Sequence, residues 1–173
     1  MSDTISGSDH ESGVGALARL IAIEEIRNLK SRYFRAVDFK DWPAIVDLFT
    51  EDARVDFSAE CQYHVGHHGV TADGINPAEW VVIGGKATAG VIAGAVGNIV
   101  AVHQGHDPLI QIHSSTTASG RWTLYDRLEY GHEVMHGYGH YEEDYRFVDG
   151  KWRISALTLT RLRVVWEDTR KTA

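Results

Sequence analysis

Residues 117–130 read TASGRWTLYDRLEY. Drawn as an extended chain, Ala118, Gly120, Trp122, Leu124, Asp126 and Leu128 fall on one side. Ser119, Arg121, Thr123, Tyr125, Arg127 and Glu129 fall on the other. Side chains of a strand alternate between faces, so the first set points to a core and the second away from it. Downstream, Tyr138–Val148 and Trp152–Trp166 read as two more strands. Between them Asp149-Gly150 is a two-residue turn that favours a hairpin. Upstream, Ile99–His103 and Leu109–His113 read as two further short strands.

The first third of the chain has a different period. Ile26, Leu29, Tyr33 and Val37 recur at helical spacing, which predicts a helix from about Gly15 to Val37, ending near Asp38. Asp41 suits an N-cap and Pro43 a first turn, so a second helix is expected through Ala44–Phe49, with Ile45, Leu48 and Phe49 buried. Arg54–Ser58 reads as a strand and Trp80–Ile83 as another, ended by Gly84-Gly85. Residues Lys86–Val96 form a helix pattern weakened by Gly90 and Gly94. The intervening Ala59–Pro77 is rich in Gly and His and has no period. Helices followed by a long antiparallel meander give an α+β fold.

The chain has 173 residues and suits one domain, read as residues 14–173 behind a small polar tail, Met1–Gly13. The hydrophobic share of 43% and charged share of 24% are those of a globular protein. Net charge is −7 with no Lys/Arg-rich run, which disfavours nucleic acid as a partner, since phosphates need a basic surface. No apolar run reaches the ~20 residues of a membrane span. No secretory leader is apparent, and the single cysteine, Cys61, fits a reducing compartment. The expected location is cytoplasmic.

Several polar residues stand where apolar ones belong. Asp126 is a carboxylate on the apolar face of its strand, and a buried charge needs a partner. It is either a structural group held by Arg or backbone donors, or a carboxylate that orients a histidine or substrate in a pocket. His103 closes the apolar run Ile99–Val102, as a hydrogen-bonded core histidine or a catalytic one. His106 points the other way if the strand continues. Asp38 follows a helix C-terminus, where the dipole disfavours it, so something else is expected to hold it. Tyr33 lies on the helix stripe. Arg161 shares a strand face with Leu157 and Leu159, but the opposite face carries Thr158, Thr160 and Leu162, so its direction stays open.

Other signals point nowhere. His64/His67/His68, His103/His106 and His132/His136/His140 match no HExxH or Cys/His zinc spacing, so no metal is expected. There is no GxGxxG between strand and helix, no phosphate loop and no GxSxG elbow. Cys61 has no activating neighbour in sequence.

The segments IEEIRNLKSRYFRAVDFKDWPAIVDLFTEDARVDF, HQGHDPLIQI, TTASGRWTLYDRLEY and YRFVDGKWRISALTLTRL, in that order from Ile21 to Trp166, resemble the SnoaL-like, nuclear transport factor 2-like proteins. Within that group the chain is similar to bile acid 7α-dehydratase and, more distantly, to scytalone dehydratase. The resemblance implies a cone-shaped α+β barrel: a curved antiparallel sheet wrapped by N-terminal helices around one pocket. It implies catalytic roles for Tyr33, Asp38 and His103 and substrate-binding roles for Asp126 and Arg161. An aromatic hydroxyl of the family is replaced here by Phe57, and the second histidine of scytalone dehydratase has no match near Leu124–Arg127. The resemblance also implies a dimer or trimer formed through the outer sheet face.

Those residues suit elimination of water from a β-hydroxy carbonyl compound. Neutral His103 would take the proton, Asp38 would fix its tautomer, and Tyr33 would donate to the enolate oxygen. Asp126 and Arg161 would orient each other or bind a polar end of the substrate. Apolar walls, including Trp122 and Phe57, suggest a bulky hydrophobic substrate such as a steroid, terpenoid or polyketide. No cofactor is required. An isomerase or cyclase would use the same base without losing a hydroxyl, and a non-catalytic binding module would use none of it.

Overall fold

The computed structural model describes residues 15–171. The segment read above as a tail lies outside the described residues. Helix α1 (Ala16–Asp38) is followed by α2 (Trp42–Leu48), β1 (Phe49–Asp56), β2 (Val81–Ile83), α3 (Gly85–Val96), β3 (Val100–Ile112), β4 (Thr117–Tyr130), β5 (Glu133–Val148) and β6 (Lys151–Asp168). The strands make one curved, unclosed sheet in the order β2-β1-β6-β5-β4-β3.

α1 buries Ile26, Leu29, Tyr33 and Val37, the stripe expected from sequence, and also Lys30. The Asp41 side chain accepts from the Ala44 amide at 3.1 Å and caps α2, as its position predicts. α2 stops at Leu48, however, and Phe49 opens β1 instead of closing the helix. The reason is a distant strand: Phe49 pairs with Ile154 of β6. The antiparallel meander expected from Ile99 onward is β3 to β6, and the β1–β6 pairing that extends the sheet beyond it is parallel.

The two short strands expected at Ile99–His103 and Leu109–His113 are one strand, β3, interrupted between His106 and Leu109. Asp107 there adopts φ 43° beside Pro108, a local irregularity that shifts which residues face inward. In the β5–β6 turn, Asp149 and Gly150 both have positive φ, 50° and 76°, which twists the hairpin in the sense its strands require. α3 forms despite its glycines, because Gly90 and Gly94 lie on its exposed side while Thr88, Ala89, Ile92 and Val96 are buried. Gly85 is needed where α3 crosses α2, since a Cβ there would run into the Val46 carbonyl.

Residues 59–77 carry short 3-10 turns at Ser58–Tyr63 and Ala72–Gly74, with another at Pro77–Trp80. Histidines pin this segment to the sheet. His67 Nδ1 lies 3.1 Å from Glu133 Oε1, and the His68 amide donates to Glu133 Oε2 at 2.6 Å. The His68 ring stacks on Tyr130 and the His67 ring on Trp166. Among the described residues, no helix is long and apolar enough to cross a membrane.

Candidate active site

The concave face of the sheet, the C-terminal half of α1, α3 and the 58–80 segment enclose a cavity of about 60 Å³. That is several times the ~10–15 Å³ a single water needs. Tyr33, Phe57, His103, Asp126 and Arg161 all line it. Aliphatic walls come from α1 and α3 through Val37, Val91, Ile92, Ala95 and Val96, and from the sheet through Leu128 and Leu159.

His103 and Asp38 form a pair held twice over. His103 Nδ1 is 2.7 Å from Asp38 Oδ1, and the His103 backbone amide donates to Asp38 Oδ2 at 3.1 Å. The unfavourable position of Asp38 at the end of α1 is thus offset by two donors from β3. With Nδ1–H given to the carboxylate, the Nε2 lone pair is left for a substrate. The Phe34 ring lies nearly parallel to the imidazole, with ring centroids 6.5 Å apart. His106, beyond the pair, is exposed.

Tyr33 is 2% exposed, and burial followed by the nearby Glu143 carboxylate pushes its hydroxyl well above the ordinary value; Tyr141 offsets part of that. Such a hydroxyl stays protonated at neutral pH and serves as a donor. Tyr141 and Tyr130, both on the cavity wall, are likewise raised, first by burial.

Arg161 points inward, settling the direction its strand pattern left open. Its Nη1 and Nη2 donate to the two oxygens of Asp126 at 3.0 and 2.7 Å, and its Nε donates to Glu60 Oε2 at 2.5 Å. Burial acts to lower the Arg161 pKa, but the two carboxylates outweigh it and hold the group firmly protonated. Glu60 also meets His64 Nε2 at 3.2 Å, and His64 Nδ1 meets His68 Nε2 at 2.9 Å. Burial would raise the Glu60 carboxyl, yet His64 and Arg161 together bring it down to about 2.

Gly137 lies directly across from Asp126 in the β4–β5 register. A Cβ at this position would overlap Asp126 Oδ1 and Arg161 Nη1. Gly137→Ala is therefore expected to displace the ion pair and cost about 1–3 kcal/mol of stability. The check is a lower urea midpoint with an unchanged slope; an unshifted midpoint counts against this close approach.

One residue read as substrate-binding lies elsewhere. Trp122 does face inward, but it does not line the cavity; its Nε1 donates to the Tyr145 hydroxyl at 2.8 Å deep in the core. Alternation sets the face of a residue and not its depth: Trp122 sits four residues, about 13 Å, along β4 from Asp126. Conversely, Glu60, His64 and Tyr141 went unread as site residues. Glu60 and His64 lie in a segment without period. Tyr141 left a signal in the alternation Tyr141, Glu143, Tyr145. Of the other histidines, His136 is engaged by the Tyr125 hydroxyl at 2.9 Å. Cys61 is buried and its thiol is pushed up by that burial.

The model of the SnoaL-like domain matches residues 18–158. The chain belongs to the SnoaL-like family. Among solved structures, this SnoaL-like protein is similar to a provisionally assigned scytalone dehydratase from Novosphingobium aromaticivorans, with a TM-score of 0.70 and 18% identity over 86% of this chain and 89% of that one. It is similar to a protein of unknown function from Mycobacterium tuberculosis, with a TM-score of 0.69 and 22% identity over 88% and 78% of the two chains. It also resembles a hexachlorocyclohexane dehydrochlorinase of Novosphingobium barchaimii, with a TM-score of 0.64 and 18% identity over 87% and 93%. At these identities the likeness is one of fold.

Proposed function

We propose that this SnoaL-like protein is a cofactor-independent lyase that eliminates water from a hydrophobic hydroxy-carbonyl compound. The Asp38–His103 pair on the cavity wall carries this reading. His103 Nε2 takes the proton α to the carbonyl while Asp38 keeps Nδ1 protonated and stabilises the imidazolium. Tyr33, held in its neutral form, donates to the oxygen where enolate charge develops. The leaving hydroxyl departs with a proton returned from the imidazolium, so that one base serves the whole cycle. Aliphatic walls exclude water around the reacting atoms. The cavity seats the reacting ring of such a compound, whether steroid, terpenoid or polyketide.

The test offers the purified protein a panel of hydroxylated ketones, following the conjugated product by absorbance and the loss of water by mass. Turnover with loss of 18 mass units supports the lyase. Uptake of deuterium from heavy water without loss of water replaces it with an isomerase. Binding with neither change replaces it with a carrier.

A further inference from the structure

Arg161 is the one Lys or Arg among the described residues lining the cavity, and it faces two carboxylates, Asp126 and Glu60. The trio therefore keeps a surplus negative charge, matched only when the His64 imidazole against Glu60 is protonated. All three side chains are nearly sealed from solvent: Arg161 is 2% exposed, Asp126 2% and Glu60 7%. Solvent screening there is weak. Asp38 adds a further carboxylate behind His103, matched only when the imidazole is protonated. Three of the five Arg161 N–H groups are already donated to protein oxygens, through Nε, Nη1 and Nη2.

An incoming carboxylate has no good place in this arrangement. It finds only the two Arg161 N–H groups left over; to take the others it must displace Asp126 or Glu60, leaving a buried anion unpaired. Without that displacement it lies beside both carboxylates, at a like-charge cost. A neutral carbonyl or hydroxyl meets neither penalty and can accept from the donors already present, the Tyr33 hydroxyl among them. Glu60 decides the balance. Asp126 alone would neutralise Arg161; Glu60 adds the excess. It is placed there by the turn after β1, where its amide donates to the Phe57 carbonyl at 2.9 Å.

We propose that the cavity selects an uncharged carbonyl compound and rejects a carboxylate of the same size, with Glu60 as the residue that sets this preference. The proposal rests on the cavity being the substrate site, as the lyase reading has it, but not on which reaction follows. Binding rather than turnover therefore tests it, and a failed dehydration assay would leave it standing.

The probes are 4′-methoxyacetophenone and 4-methoxybenzoate, one ring and one size, neutral and anionic at pH 7.5. Titration calorimetry on the full chain is expected to show the ketone bound about tenfold or more tightly than the benzoate. Glu60→Gln should tighten benzoate about tenfold and leave the ketone within about twofold, while Glu60→Asp, which keeps the charge, should retain the wild-type preference. Benzoate bound as tightly as the ketone by the wild-type protein overturns the proposal, even if no variant folds. A folded Glu60→Gln with the wild-type ratio overturns the role of Glu60.

Discussion

His103→Ala is expected to lower kcat by about 10²–10⁴-fold, the range removed with a general acid–base group, while leaving the fold intact. The imidazole reaches the cavity from β3 and its loss opens only a small space beside Phe34. Melting temperature should therefore change little, which separates a catalytic role from a structural one. Asp38→Asn makes the sharper test. The carboxylate accepts from both the ring Nδ1 and the backbone amide of His103. Asparagine has one acceptor oxygen, so its NH₂ must face one of those donors or force the imidazole into the other tautomer. The proton then sits on Nε2, where the base should be, and kcat is expected to fall by about 10²-fold or more. Near-wild-type turnover in both variants would mean that the pair only ties α1 to β3.

The largest effect on stability is expected from Lys30→Met. Lys30 is fully buried on α1 and donates its ammonium to Glu143, which is also buried, on β5. Burial lowers the Lys30 pKa and the Glu143 charge opposes it. The Tyr145 hydroxyl donates to the second Glu143 oxygen, and the Tyr141 ring faces the ammonium with its centroid 3.5 Å away. Removing the lysine leaves a buried carboxylate with one donor, at a cost of about 3–5 kcal/mol. At about 2–4 °C per kcal/mol for a chain of this size, the melting temperature should fall by about 10 °C. Lys30→Met combined with Glu143→Leu removes both charges and should recover most of the loss. A single variant melting within about 2 °C of wild type, or a double variant no better than the single, would show that the pair does not act this way.

The Lys30–Glu143 pair also shows where reading along the chain stops. Lys30 falls between Ile26 and Tyr33 on the buried stripe, and Glu143 between Tyr141 and Tyr145 on an alternating face. Each is legible as a charge on an apolar side, as Asp126 was. That the two meet is not legible, because they are 113 residues apart and nothing local couples them. Asp126 and Arg161 differ only in that a family resemblance named both as site residues, with mutual pairing as one of two roles.

The sequence by itself determined the strand at Thr117–Tyr130, the Asp149-Gly150 hairpin, the α1 stripe, the cap at Asp41 and the α+β class. These follow from side-chain period and turn conformation, which act over a few residues. Tertiary structure alone decided that β1 joins β6 in parallel, that two expected strands merge across Asp107-Pro108, and that Trp122 stays out of the cavity lining while Glu60 and His64 enter it. Each of these depends on which distant strand completes a row of backbone hydrogen bonds, or on how far along a strand a side chain sits when the sheet curves. Periodicity assigns a residue to a face; only the packed sheet gives that face its depth and its neighbours.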